Sequence, residues 1–175
     1  MIRDLTLLSA RLAVGGGIAA HGAQKALGWF NGPGPEGAAK IMHGFGFRPA
    51  ERYATIASWT EIATGSLIAL GAGGPIGSSM LISFMAVTQG CVRLRHGFFA
   101  QPGSMEVALL YAAAGLSFVA TDYGTISLDA MLGTRKPLRN PIVTTVAVAG
   151  GIAVALAFLA VRNTSLGTDD ESVQP

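Results

Sequence analysis

Residues 142–161 read IVTTVAVAGGIAVALAFLAV, twenty positions without a charge. A bilayer core about 30 Å thick needs roughly 20 mostly apolar residues in helix. This stretch therefore decides the class of fold: it predicts a helix that crosses a membrane. The run is continuous and lacks period-2 alternation, which argues against a membrane strand. Four further runs lie upstream. Residues 5–26 carry Arg11, and residues 52–70 carry Glu61 as the only charge after Arg52. Residues 76–93 are free of charge up to Val92, and residues 104–121 carry Glu106 near their start. The first run is expected to be a span and not a signal peptide, because Arg11 interrupts it and Asp4 weakens the basic lead.

Composition agrees with this reading. Only 13% of the 175 residues are charged and 50% are hydrophobic, whereas a soluble domain is about 25% charged. Disorder requires low hydrophobicity and high net charge. One cysteine excludes a disulfide framework, a multi-cysteine zinc site and a Cys-x-x-Cys pair. A net charge of +2 does not suggest nucleic acid. The fold class expected is all-α: a polytopic four-helix transmembrane bundle with a fifth, C-terminal transmembrane helix. The divisions are 1–132 for the four-helix domain, 133–162 for a linker and the added helix, and 163–175 for a disordered acidic tail holding Asp169, Asp170 and Glu171.

Between the first two spans, Asn31-Gly32-Pro33-Gly34-Pro35 breaks the helix. Residues 36–45 then predict a short interfacial helix flanked by Trp29, Phe30, Phe45, Phe47 and Tyr53, as aromatics flank a membrane surface. The short 71–75 connection makes spans two and three antiparallel neighbours. Glycine is abundant, with 24 residues. Helices in lipid pack through small residues, so Ala13, Gly17, Gly22, Gly65, Gly150 and Gly151 are candidates for close contacts, against generic tolerance of glycine in such helices.

Alternating direction sorts the polar residues into two layers. Side A holds the N-terminus. Arg11 lies two turns inside it, and a pair with Asp129 or Asp122 would clip the first and fourth helices. Side B collects His21, Gln24 and Lys25 from span one, Glu61 from span two, Gln89, Cys91, Arg93, Arg95 and His96 from span three, and Glu106 from span four. His21, Gln24, Lys25 and Gly28 share one helix face. A charge at mid-membrane costs about 2.5–3.5 kcal/mol, so Glu61 needs a partner. Lys25 or Arg93 suits by depth, with His21 or Gln24 as a neutral donor. The pair is either a register-fixing contact or part of a binding pocket or proton path. His43 reads as an interfacial residue and Cys91 as a small core residue. No metal site is expected, because His21, His43 and His96 have no ligand spacing. Counting bases puts side B in the cytoplasm, although bases that serve a site compromise the count.

Arg11-Leu12-Ala13-Val14-Gly15, His21-Gly22-Ala23-Gln24-Lys25 and Gly28-Trp29-Phe30-Asn31-Gly32-Pro33-Gly34 resemble the opening of the DoxX family. Gly44-Phe45-Gly46-Phe47-Arg48-Pro49, Glu61, Gly97-Phe98-Phe99, Glu106 and Ser127-Leu128-Asp129-Ala130 follow in the family's order. Arg95-His96 stands where relatives often carry Asn. The resemblance covers about residues 11–132 and implies a four-helix membrane bundle. It also implies a link to thiosulfate:quinone oxidoreductase (the DoxD-type membrane subunit), or to membrane complexes that handle oxidative stress with superoxide dismutase and a sulfurtransferase. The function expected is therefore an integral plasma-membrane subunit, multi-pass, of a quinone-linked or thiol and sulfur redox system, working with other subunits or as a homo-oligomer. His21, Gln24 or Lys25 would hydrogen-bond a quinone carbonyl, and Glu61 or Glu106 would exchange a proton. His96 would join the site, and Trp29 and Phe30 would wall its entrance. A non-catalytic assembly subunit and a small-solute or proton transporter stand as alternatives.

Overall fold

The structure is a computed structural model that describes residues 1–96 and 105–171, with backbone alone for 92–96, 105, 163 and 165–171. Among the described residues every regular element is helical. Helix α1 is Ile2–Leu27, and Gly28 ends it in the left-handed region with φ 70. A 3-10 turn, Trp29–Asn31, leads to α2, Gly34–Gly44. Pro49 opens α3, Ala50–Leu70, which Gly71 closes at φ 67. Helix α4 is Pro75–His96 and α5 is Met105–Thr121. Two single-turn helices follow, α6 (Leu128–Met131) and α7 (Arg135–Leu138), before α8, Pro141–Glu171. Helices α4 and α8 both begin on proline, whose fixed φ and missing N–H suit a first helical position.

Helices appear where the five apolar runs and the short 36–45 helix were expected, with starts within a few residues of those anticipated. The tail differs. Helix α8 continues past Val161 to Glu171, because residues 162–171 hold no proline and an established helix propagates at little cost. The expectation of disorder from 163 is corrected as far as 171; residues 172–175 lie outside the described residues. Between α5 and α8 the chain also forms two single-turn helices, α6 and α7, that the apolar runs did not indicate.

Helix α1 lies along α3, α2 lies across both, and α4 packs against α3, α5 and α8. The α1–α3 contact is made by backbone. A Cβ on Gly15 would lie 2.5 Å from the Ala69 nitrogen, one on Gly22 would lie 2.7 Å from the Ser58 carbonyl, and one on Gly65 would strike the Gly15 carbonyl and the Ala19 nitrogen. Helix α8 is seated on α4 in the same way. A Cβ on Gly151 would lie 3.0 Å from the Ser79 carbonyl, and the Ser83 hydroxyl donates to the Gly151 carbonyl at 2.7 Å. Thus Gly22, Gly65 and Gly151 make close contacts, while Gly150 faces open space and Ala13 is exposed.

The apolar centre gathers Ile18, Ile68, Leu81, Met85, Ala108, Phe118 and Tyr123. Arg11, Ser58, Glu61, Thr64, Ser78 and Ser79 are buried with it, while Leu12, Leu110, Leu116, Ile142, Val146 and Leu156 face outward. By length and composition, one helix among the described residues is suited to cross a membrane: α8 over Pro141–Arg162, 22 residues. Helix α5 is apolar over Glu106–Thr121 but shorter.

Candidate functional site

Lys25 and Glu61 face each other across the α1–α3 seam. The glycines that bring these two backbones together also bring the side chains into reach. The Lys25 Nζ donates to both carboxylate oxygens of Glu61, at 2.6 and 2.8 Å. Glu61 is almost wholly enclosed, its side chain 4% exposed, while Lys25 keeps 23%. The Nζ also sits 5.6 Å from the centre of the Phe84 ring on α4. A charge this deep needs its partner, since burial of an isolated carboxylate is prohibitive. Of the two cations proposed for Glu61, Lys25 takes the place.

Lys25 reaches outward as well as inward. It lines a cavity of about 600 Å³ between the end of α1, the whole of α2 and the first turns of α3. Ala38, Ala54 and Trp59 give the cavity apolar walls, and Glu36, Lys40, His43, Glu51 and Thr55 give it a polar rim. Ser58 lines it too, but its hydroxyl donates to the Ala54 carbonyl at 2.7 Å and so offers lone pairs only. An ammonium carries three N–H donors. Two are held by Glu61, which leaves one for a molecule in the cavity.

The remaining predicted residues scatter. His21 and Gln24 are one turn away and bond to each other, Nδ1 to Oε1 at 3.1 Å, with His21 exposed. Trp29 is 58% exposed and packs edge-on against Phe30 at 6.3 Å; it does not line the cavity. That place belongs to Trp59, which the apolar run of span two concealed. Glu106 is exposed at the start of α5. His96 ends α4, and its side chain, with those of Arg93 and Arg95, lies outside the described residues.

At the other end of the bundle, the anticipated Arg11 pair with Asp129 or Asp122 is corrected. Arg11 is buried, its Nη2 donating to the Ile126 carbonyl and its guanidinium 5.8 Å from the centre of the Tyr123 ring. The Asp129 carboxylate accepts from the backbone of Gly73 and Gly74, at 3.0 and 2.7 Å, and from the Thr134 hydroxyl at 3.1 Å. Asp122 pairs with Arg135 and Arg139, each at 3.0 Å. The tight α3–α4 turn presents two neighbouring N–H groups that need an acceptor, and Asp129 is committed to them. The outcome is still a clip, tying the 122–139 segment to α1 and to that turn. Tyr123 belongs to it; burial pushes its phenol above the ordinary value, and its hydroxyl pairs with Ser78 at 2.9 Å.

The DoxX family model matches residues 6–94, half of the chain, spanning α1 to α4 and both partners of the buried ion pair. Neither a curated protein nor a solved structure matches. The chain belongs to the DoxX family.

Proposed function

We propose that this DoxX-family membrane protein crosses the plasma membrane several times and binds the head group of a quinone at the Lys25–Glu61 site, as a subunit of a redox system supplied with electrons by a reduced thiol or sulfur donor. Its sidedness supports the multi-pass reading. Arg11, Ser58, Glu61, Thr64, Ser78 and Ser79 turn inward while Leu12, Leu110, Leu116, Ile142, Val146 and Leu156 turn outward, an arrangement a bilayer favours and water penalises. Buried Arg11 in α1, buried Glu61 in α3 and buried Ser78, Ser79 and Ser83 in α4 lower the mean hydropathy of these helices without facing lipid.

One observation carries the site: an ion pair closed on the protein side by Glu61 and open on the cavity side at Lys25. A quinone site needs few polar groups in an apolar cleft, and the lining described here fits one. Lys25 would hold a ring carbonyl with its remaining N–H, and Trp59 with the alanines would flank the ring. Bound quinone supplies two-electron, two-proton redox chemistry. Lys25, kept charged by Glu61, would offset negative charge on the oxygen it holds, and the protons of reduction would enter past the polar rim of the cavity. Glu61 keeps Lys25 aimed and balances its charge.

Trp59 provides the test. The chain has two tryptophans, so Trp29→Phe leaves Trp59, which is 54% exposed and lines the cavity at its outer edge, as the sole reporter. In detergent or nanodiscs, a short-tailed quinone should quench that fluorescence saturably, and Lys25→Met should abolish the saturable part. Quenching that never saturates, or saturates equally in Lys25→Met, overturns the proposal. An assembly subunit would lose complex yield in such a variant while binding no quinone at all.

A further inference from the structure

A second cavity, of about 400 Å³, lies between α3, α4 and α8. We propose that it is a lateral site for one acyl chain of a membrane lipid, which packs as a wedge between α8 and the four-helix core. This rests on the membrane reading above and is independent of the quinone reading.

The lining settles the chemistry of the occupant. Among the described residues no charged side chain lines the groove. Phe47, Tyr53 and Phe158 form an aromatic cluster at one end, with ring centres 5.1 to 6.4 Å apart, and Met80, Val87 and Val154 continue the wall. Ser83 donates to the Gly151 carbonyl and Thr88 to the Phe84 carbonyl, while the Ser79 hydroxyl is buried without a partner among the described residues. The rest of the lining is aliphatic or aromatic apart from Thr60, the Tyr53 hydroxyl and Cys91, so it offers more to hydrocarbon than to a head group. Its volume falls in the range of about 300–1,000 Å³ usual for small-molecule sites, so leaving it empty would forfeit packing contacts along its whole lining.

The mouth settles the route. Ile56, Ile76 and Val154 border the groove and are 39%, 45% and 54% exposed. They are continuous with the outward Val146 and Leu156 of α8, so the opening faces the bilayer. The bulk lipid is the hydrocarbon present there. The Phe84 ring lines the groove and also lies beneath the Lys25 ammonium, which partitions the acyl site from the ion pair. The groove needs α8, which lies outside the segment matched by the family, so the added helix creates it.

Gly150 makes this testable. It lines the groove, and a Cβ there would meet nothing within 4 Å. A leucine at that position fills the space without moving backbone. Gly16 on α1 is equally open and provides the control. The full chain is reconstituted in vesicles of a phosphatidylcholine bearing a diazirine mid-chain, floated on a sucrose gradient, irradiated and mapped by peptide mass spectrometry. Labelling should concentrate on groove residues such as Met80 and Phe158, be lost in Gly150→Leu and persist in Gly16→Leu. Stripping lipid should lower the melting temperature of the wild type and leave Gly150→Leu unchanged. Even labelling over the outer surface, unchanged labelling in Gly150→Leu, or capture of a prenyl probe in place of the acyl probe overturns the proposal. Failure to float removes the membrane reading and this proposal with it, whereas loss of saturable Trp59 quenching removes the quinone reading alone.

Discussion

The Lys25–Glu61 pair predicts an asymmetric double-mutant cycle. Lys25→Met strands a carboxylate whose side chain is 4% exposed, and removing one partner of a buried pair costs about 3–5 kcal/mol. Glu61→Leu strands an ammonium that is 23% exposed and already borders a cavity. Its stem can turn the charge outward, so this variant should cost less, about 1–3 kcal/mol, the range for a buried group left unsatisfied. Lys25→Met with Glu61→Leu removes both charges and should lie within about 1–2 kcal/mol of wild type, because apolar replacement of a whole buried pair is often neutral. The coupling then exceeds about 2 kcal/mol, near the top of the range seen for contacting residues. Equilibrium unfolding in mixed micelles of sodium dodecyl sulfate, followed by circular dichroism, reads all four corners. Two single variants that are equal, additive and each below about 1 kcal/mol would behave as an exposed ion pair does and would refute the geometry. The double variant also separates stability from binding: it should refold and still show no saturable quinone quenching of Trp59.

Gly65→Ala should lower stability by about 1–3 kcal/mol, as overpacking does, because the new Cβ meets the Gly15 carbonyl and Ala19 nitrogen and neither backbone can yield. Gly16→Ala should be neutral or gain up to about 1 kcal/mol from helix propensity, since its Cβ meets nothing within 4 Å; thermal melts that rank the two equally would refute the close α1–α3 contact. Burial, with a smaller contribution from Asp129, raises the Tyr123 phenol above its ordinary value of 10.0, against the Ser78 hydrogen bond and Arg11. Above about pH 10 the unfolded chain therefore releases this proton before the folded one does, and stability falls as pH rises. Absorbance at 295 nm should show one of the three tyrosines titrating last, and Tyr123→Phe should remove that component; three coincident titrations would count against the buried Tyr123–Ser78 contact.

The helices were legible because each rests on a local property, a continuous apolar run ended by glycine or proline. Gly28, Gly71 and Pro49 close or open helices close to where the sequence expected. Partners were less legible, because depth in the membrane is one coordinate and a contact needs three. Lys25 and Arg93 suited Glu61 equally by depth, and the glycine seam between α1 and α3 makes the choice. That seam includes Gly15, where the expectation had named Gly17; the two are two residues apart, and helical angle alone turns Gly15 to the α3 backbone and Gly17 to the Tyr111 hydroxyl. Trp59 was missed because an aromatic inside an apolar span looks the same whether it faces lipid or a cavity. Helices α6 and α7 were missed because each is a single turn, too short for periodicity to register.

The two polar ends of the bundle differ in a way that bears on function. At the N-terminal end Asp122 and Asp129 are taken up by groups that close a loop: arginines in the same segment, backbone N–H groups of the α3–α4 turn and the Thr134 hydroxyl. Substituting any of these should cost stability and nothing else. At the opposite end Glu61 meets a lysine that a cavity of about 600 Å³ can still reach. A group whose every bond is internal can only hold the fold, whereas one with a donor left over and space beside it can hold something else. Lys25 is the place to begin because it combines a buried charge, an open donor and access from outside the helix bundle.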